Sequence, residues 1–153
     1  MFSREEKKIL NTAFFNQFVR RMSRHHSLGG GGGRWESYKT GVKGLYFRML
    51  TAPIVGIAID IQQKDPEIRA LLFDQFIELR RLLEAEWGDA VVYESSHFLD
   101  SGIEVSRIAI TLENAYFYDK EQWPAILSWF ETKLIGLDAF WDTTGDIVKA
   151  LAR

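Results

Sequence analysis

The sequence predicts an α+β protein of two layers, a four-stranded, mostly antiparallel sheet covered by helices in the order α-β-β-α-β-β-α(-α). Three observations predict it. Two pairs of segments rich in β-branched and aromatic residues are each joined by a short link, as in antiparallel hairpins. Amphipathic stretches with recognisable caps precede, separate and follow those pairs. Strands and helices do not alternate one by one, as a doubly wound parallel sheet requires. The 153 residues are 46% hydrophobic and 26% charged, which excludes a disordered chain and suits one domain, taken to span residues 1–153.

The elements follow in order. Ser3 and Glu6 have capping-box spacing, and Ile9, Leu10, Ala13, Phe14, Val19 and Met22 recur at helical intervals, predicting a helix from Arg4 to about Ser23. Five consecutive glycines, Gly29 to Gly33, then predict a flexible loop over residues 24–34. A phosphate cradle does not fit there: Arg34 stands where a third spaced glycine is needed, and no Gly-Lys-Ser/Thr follows. Leu45 to Thr51 and Ile54 to Ile61 read as strands linked through Pro53. The second is apolar at nearly every position, so it is central, and either covered on both faces or closely packed on a face of small residues.

Asp65 and Pro66 start a helix whose stripe of Ile68, Leu72, Phe76, Leu79 and Leu83 runs to Gly88. Val91 to Glu94 and Ile103 to Leu112 are the next strands. The parity of apolar positions changes across Ser106-Arg107, which predicts a bulge or strong twist. Asp119 caps a helix with Gln122 at the box position and Trp123, Ile126, Leu127, Phe130 and Leu134 on its buried side. Gly136 is a candidate break. A further helical stretch holds Leu137, Phe140 and Trp141, and a terminal turn holds Ile147, Val148 and Leu151.

Charge is unevenly distributed. The net charge is −2, yet residues 1–50 hold ten Lys/Arg against three acids and the remainder holds nine against eighteen. This marks Arg20, Arg21, Arg24, Arg34, Lys39 and Lys43 as candidate anion or nucleic-acid contacts, since Lys and Arg supply most non-specific phosphate affinity. The competing reading is neutralisation by the protein's own carboxylates or plain solvation, favoured by a pI of about 5.9.

A second candidate lies on the strands. Tyr46 and Arg48 share a parity, Asp60 falls on the next strand and Arg107 at the expected irregularity, so the four form a polar cluster on one sheet face. The alternative is a structural Arg–Asp pair closing a thinly covered face. A nuclease-type metal site would need converging carboxylates, but only Glu36 and Asp60 lie in that stretch, with Gln62 where a third is wanted. His25, His26 and His97 lack the spacing of zinc ligands, and Ser95-Ser96-His97 lacks that of a triad. Trp123, Trp129 and Trp141 recur at helical spacing, which suits a core or a dimer contact better than a stacking platform. No catalytic residue, metal or cofactor is therefore assigned. There is no cysteine and no apolar run of membrane-spanning length, and the opening residues are too polar for a signal peptide, so the expectation is a cytoplasmic protein without membrane contact.

The segment Trp35-Glu36-Ser37-Tyr38-Lys39-Thr40-Gly41-Val42-Lys43-Gly44-Leu45-Tyr46-Phe47-Arg48-Met49 resembles a small family of uncharacterised bacterial proteins catalogued only as a domain of unknown function. Phe73-Asp74-Gln75-Phe76, Ser106-Arg107-Ile108, Trp123-Pro124 and Asp138-Ala139-Phe140-Trp141 are similar to it in the same order, and the likeness spans nearly the whole chain. The five-glycine loop departs from it. The resemblance implies a module found alone or at the C-terminal end of longer proteins, some with nuclease-like domains ahead of it, and it implies no catalytic residue. The expectation is a non-enzymatic interaction module that binds a protein partner or itself. The alternative is a nucleic-acid accessory domain using the basic first third, and the third reading is a metal-dependent nuclease.

Overall fold

The computed structural model describes residues 2–30 and 33–153, so Gly31 and Gly32, within the loop expected to be flexible, lie outside the described residues. The elements are α1 (Arg4–Met22), β1 (Leu45–Leu50), β2 (Val55–Ile61), α2 (Pro66–Glu78), α3 (Arg80–Trp87), β3 (Val92–Phe98), β4 (Glu104–Leu112) and, after a 3-10 turn at Lys120–Gln122, α4 (Trp123–Leu151). The strands form one sheet in the order β1-β2-β4-β3, antiparallel throughout. The predicted fold class is the observed one.

Side-chain alternation gives the sheet two unlike faces. Leu45, Phe47, Val55, Ile57, Ile59, Ile61, Ile108 and Ile110 enter one core with residues from all four helices. The other face carries Tyr46, Arg48, Gly56, Ala58, Asp60, Val105, Arg107 and Ala109. Its buried apolar residues, Ala58, Val105 and Ala109, stand apart from the main core. Strand β2 is thus buried at every position through small side chains and an ion-paired aspartate, the second of the two arrangements its sequence allowed.

The α1 capping box forms: Ser3 and Glu6 exchange backbone-to-side-chain hydrogen bonds of 3.1 Å each. Its buried face is Phe14, Phe18 and Met22, while Ile9 and Val19 from the expected stripe stay exposed. The helix expected from Asp65 to Gly88 is interrupted at Leu79, whose ψ of 5° ends α2 and turns the chain into α3. Leu79 N–H still reaches the carbonyls of Gln75 and Phe76, and Arg80 Nη1 donates to that of Ile77 at 2.9 Å, so the carbonyls freed by the kink keep donors.

The C-terminal helical pieces instead fuse into one 29-residue helix. Gly136 does not break it. It brings α4 against α3, and a Cβ there would lie 2.8 Å from the Glu86 carbonyl oxygen. The expected bulge is real but belongs to the neighbouring strand. Glu94 faces Arg107 and His97 faces Val105, so Ser95 and Ser96 on β3 stand opposite Ser106 alone, while β4 pairs with β2 without a slip. No helix among the described residues is long and apolar enough to cross a membrane.

Candidate functional site

On the helix-free sheet face the predicted polar cluster assembles. Tyr46, Asp60, Arg107 and Glu94 form one row across the four strands. Asp60 is fully buried; it accepts Arg107 Nε at 2.7 Å and Nη2 at 2.8 Å as a bidentate pair, and Arg48 Nη1 at 2.6 Å. Arg48 also donates to Gln62 Oε1 at 2.8 Å, and its guanidinium lies 4.5 Å from the centre of the Tyr46 ring. The hydrogen bonds to Asp60 push Arg107 above the ordinary guanidinium range, against the opposing effect of burial. Both Asp60 oxygens are thus occupied by guanidinium donors, three hydrogen bonds in all. Among the described residues no group of three or more His, Asp or Glu is placed to hold a metal ion.

The six basic residues of the first third separate into two groups. Arg21 Nε, Arg24 Nη2 and His25 Nε2 converge on Glu131 of α4 at 2.9, 2.8 and 2.7 Å. Burial pushes the Glu131 carboxyl up, but these contacts outweigh it and bring the group down to about 2. Arg21 and Arg24 thus hold α1 to the protein's own acid. Arg20, Arg34, Lys39 and Lys43 are exposed and make no ion pair among the described residues.

One site has no counterpart in the sequence reading. Asp138, buried in the middle of α4, accepts four hydrogen bonds: Ser27 Oγ at 2.5 Å, Leu28 N–H at 2.7 Å, Gly29 N–H at 3.0 Å and the Tyr38 hydroxyl at 2.6 Å. Burial first, and the bond to Asp138 second, raise the Tyr38 phenol well above its usual range. Residues 27–29, in the loop expected to be flexible, are tied to α4 by this carboxylate. The available signal was a charged residue inside the apolar series Leu134, Leu137, Trp141, where a helix core tolerates an acid only with several donors.

Tyr38 continues into a cleft of about 560 Å³ running along β1. Phe15 of α1, residues 36–39 and Tyr46 to Leu50 line it. Tyr38 packs on Phe47, with ring centres 5.1 Å apart. The cleft therefore joins Lys39 from the basic set with Tyr46 and Arg48 from the sheet-face cluster.

The β1 backbone is half free along this cleft. Leu45 N–H donates to the Val42 carbonyl at 3.2 Å and Leu45 C=O accepts Thr40 Oγ1 at 3.0 Å, so Leu45 faces away from β2. Backbone groups alternate sides along an antiparallel strand, so Tyr46, Arg48 and Leu50 bond to β2 while Phe47 and Met49 turn their N–H and C=O groups outward. No hydrogen bond from the described residues reaches those four groups.

Comparison with known proteins adds one finding: the sequence family described as a domain of unknown function, DUF4268, matches residues 10–144. No curated protein and no solved structure matches the chain.

Proposed function

The chain belongs to the DUF4268 family, and from that premise we propose that it is a non-enzymatic, cytoplasmic binding module whose partner docks along the β1 cleft. The observation that carries the reading is a contrast in how polar groups are used. The two buried acids and one partly buried acid are engaged by internal donors, Asp60 by two guanidiniums, Asp138 by four hydrogen bonds and Glu131 by two arginines and a histidine. Groups held this way keep a fold together and are poorly suited to carry protons or hold a metal during a reaction. The β1 edge is the opposite, a cleft of mixed aromatic, apolar and charged lining whose strand has unused hydrogen-bonding capacity.

Panning a random-peptide phage library against the chain tests the proposal. Enriched peptides are expected to lose binding when Tyr46→Ala and Lys39→Glu are introduced together. Failure to enrich any peptide, or enrichment indifferent to that double variant, overturns it.

A second reading rests on Arg20, Arg34, Lys39 and Lys43, the four of the six candidate basic residues that make no ion pair among the described residues. If they contact duplex DNA, four phosphate contacts give a slope of about −3.6 in log K against log salt, or about a 150-fold loss of affinity from 50 to 200 mM. Fluorescence anisotropy of a labelled duplex measures this. A flat salt response, or no effect of replacing the four by Ala, removes the nucleic-acid reading.

A further inference from the structure

We infer that β1 takes up an extended, antiparallel segment of a partner protein, and that this segment sets an acidic residue opposite Arg48 with an apolar residue on each side of it. The inference rests on the binding-module reading and specifies its ligand.

The two sheet edges differ. The β3 edge is interrupted at Ser95 and Ser96 and carries Glu94 and His97, which discourages pairing with another strand. The β1 edge is regular over its whole length, and its one charged residue is Arg48. Its free N–H and C=O groups at Phe47 and Met49 are spaced for two residues of an incoming antiparallel strand, each exchanging a pair of hydrogen bonds.

Strand alternation then dictates the ligand's side chains. Residues opposite Phe47 and Met49 project to the helix-covered side, where Phe15 and Tyr38 line the cleft. The residue between them projects to the other face beside Arg48, at a Cβ separation of about 5 Å. On that face one aspartate answers two arginines, and Glu94 stands opposite Arg107 on the side away from β1. These four charges cancel as a whole, but Arg48, partly exposed and sharing its acid with Arg107, is the charge nearest the free edge, where an acid is the complement.

The same geometry disfavours a second copy of this chain. An antiparallel β1–β1 pairing that uses all four free backbone groups places Phe47 opposite Met49 and Arg48 directly opposite Arg48 of the other copy, a repulsive arrangement. A foreign acidic strand relieves that repulsion.

The test uses the full chain, labelled with nitrogen-15, and the acetylated, amidated peptide Ser-Thr-Val-Glu-Val-Thr-Ser. The peptide is expected to shift the Phe47 and Met49 amide resonances and to slow their hydrogen exchange about fivefold or more. Exchanging its Glu for Lys, or N-methylating both valines, is expected to weaken binding about tenfold or more. Met49→Pro should do the same, because it removes an outward N–H but no β1–β2 hydrogen bond. The N-methylated peptide gives the same readout on unaltered protein if that variant misfolds. Equal binding of the Glu and Lys peptides, or no binding at millimolar concentration, overturns the inference. So does a dimer in light scattering whose Phe47 and Met49 amides are already protected, which would assign the edge to a second copy. Shifts confined to amides elsewhere also overturn it but leave a binding module standing, and the library panning decides that broader reading independently.

Discussion

Replacing Asp138 is expected to detach the chain between α1 and β1 from the body of the protein. In the native fold this one carboxylate accepts hydrogen bonds from Ser27, Leu28, Gly29 and Tyr38, all between 2.5 and 3.0 Å, and is 2% exposed. Hydrogen bonds to a charged group contribute about 1.5–3 kcal/mol each, but they are not additive here because the freed loop can rehydrate. Asp138→Ala is therefore expected to cost about 3–4 kcal/mol. Asp138→Asn sets an amide N–H₂ against at least one backbone N–H, while the hydroxyls of Ser27 and Tyr38 can rotate to accept, so its cost is about 2 kcal/mol. Tyr38→Phe removes a single bond and is expected to cost about 1 kcal/mol. Urea unfolding followed by tryptophan fluorescence gives the order, and thermal melts of Asp138→Ala should fall by about 6–16 °C for a domain of this size. Hydrogen exchange at the Leu28 and Gly29 amides should accelerate in step. An Asp138→Ala protein within about 0.5 kcal/mol of the parent, with those amides still protected, would refute the reasoning.

Three further outcomes are expected. Glu131 has its proton affinity lowered in the fold, to about 2 from an ordinary 4.5, so its contribution to stability is whole above pH 4.5 and is lost as pH falls from there toward 2. Urea midpoints at pH 6 and pH 3 should show that loss, and Glu131→Gln should flatten it. Around Asp60, Arg107→Ala is expected to cost about 3 kcal/mol and Arg48→Ala about 1 kcal/mol, because Arg107 makes the bidentate contact and is 11% exposed against 31% for Arg48. Equal costs in denaturant titrations would contradict this division. Gly136→Ala should destabilise by about 1–3 kcal/mol despite a helix-propensity gain of about 1 kcal/mol, since the new methyl meets backbone at 2.8 Å; a raised melting temperature would show that α3 can yield.

What was legible in the sequence follows from period. The alternation of two that sets Tyr46 and Arg48 on one face of β1, with Asp60 on the next strand, marks the sheet-face cluster, and the Ser3 and Asp65 caps locate two helix starts. The kink at Leu79 was not legible, because the apolar stripe passes through it unbroken and no Gly or Pro marks it. Gly136 suggested a break by propensity, but it lies where the Glu86 carbonyl comes too close for a side chain. Packing overrode the local cost. The parity change at Ser106-Arg107 located an irregularity on the correct row, but one strand's pattern cannot tell which of two partners holds the extra residue. Asp138 and Glu131 were missed for a common reason. Their partners lie a hundred residues or more away in sequence, and a charge on a helix reads as solvated until the opposite wall is known.

The long helix α4 has a consequence for how the protein is made. Phe130 packs on Phe14 and Phe18, Trp87 bonds the Lys133 carbonyl, Phe140 meets Phe76 and Trp141 bonds the Thr40 carbonyl. Every one of those partners leaves the ribosome before α4 does. The core on the sheet's apolar side therefore stays incomplete until α4 has been made, so part of that surface is exposed during translation, although α1, α2 and α3 can already cover some of it.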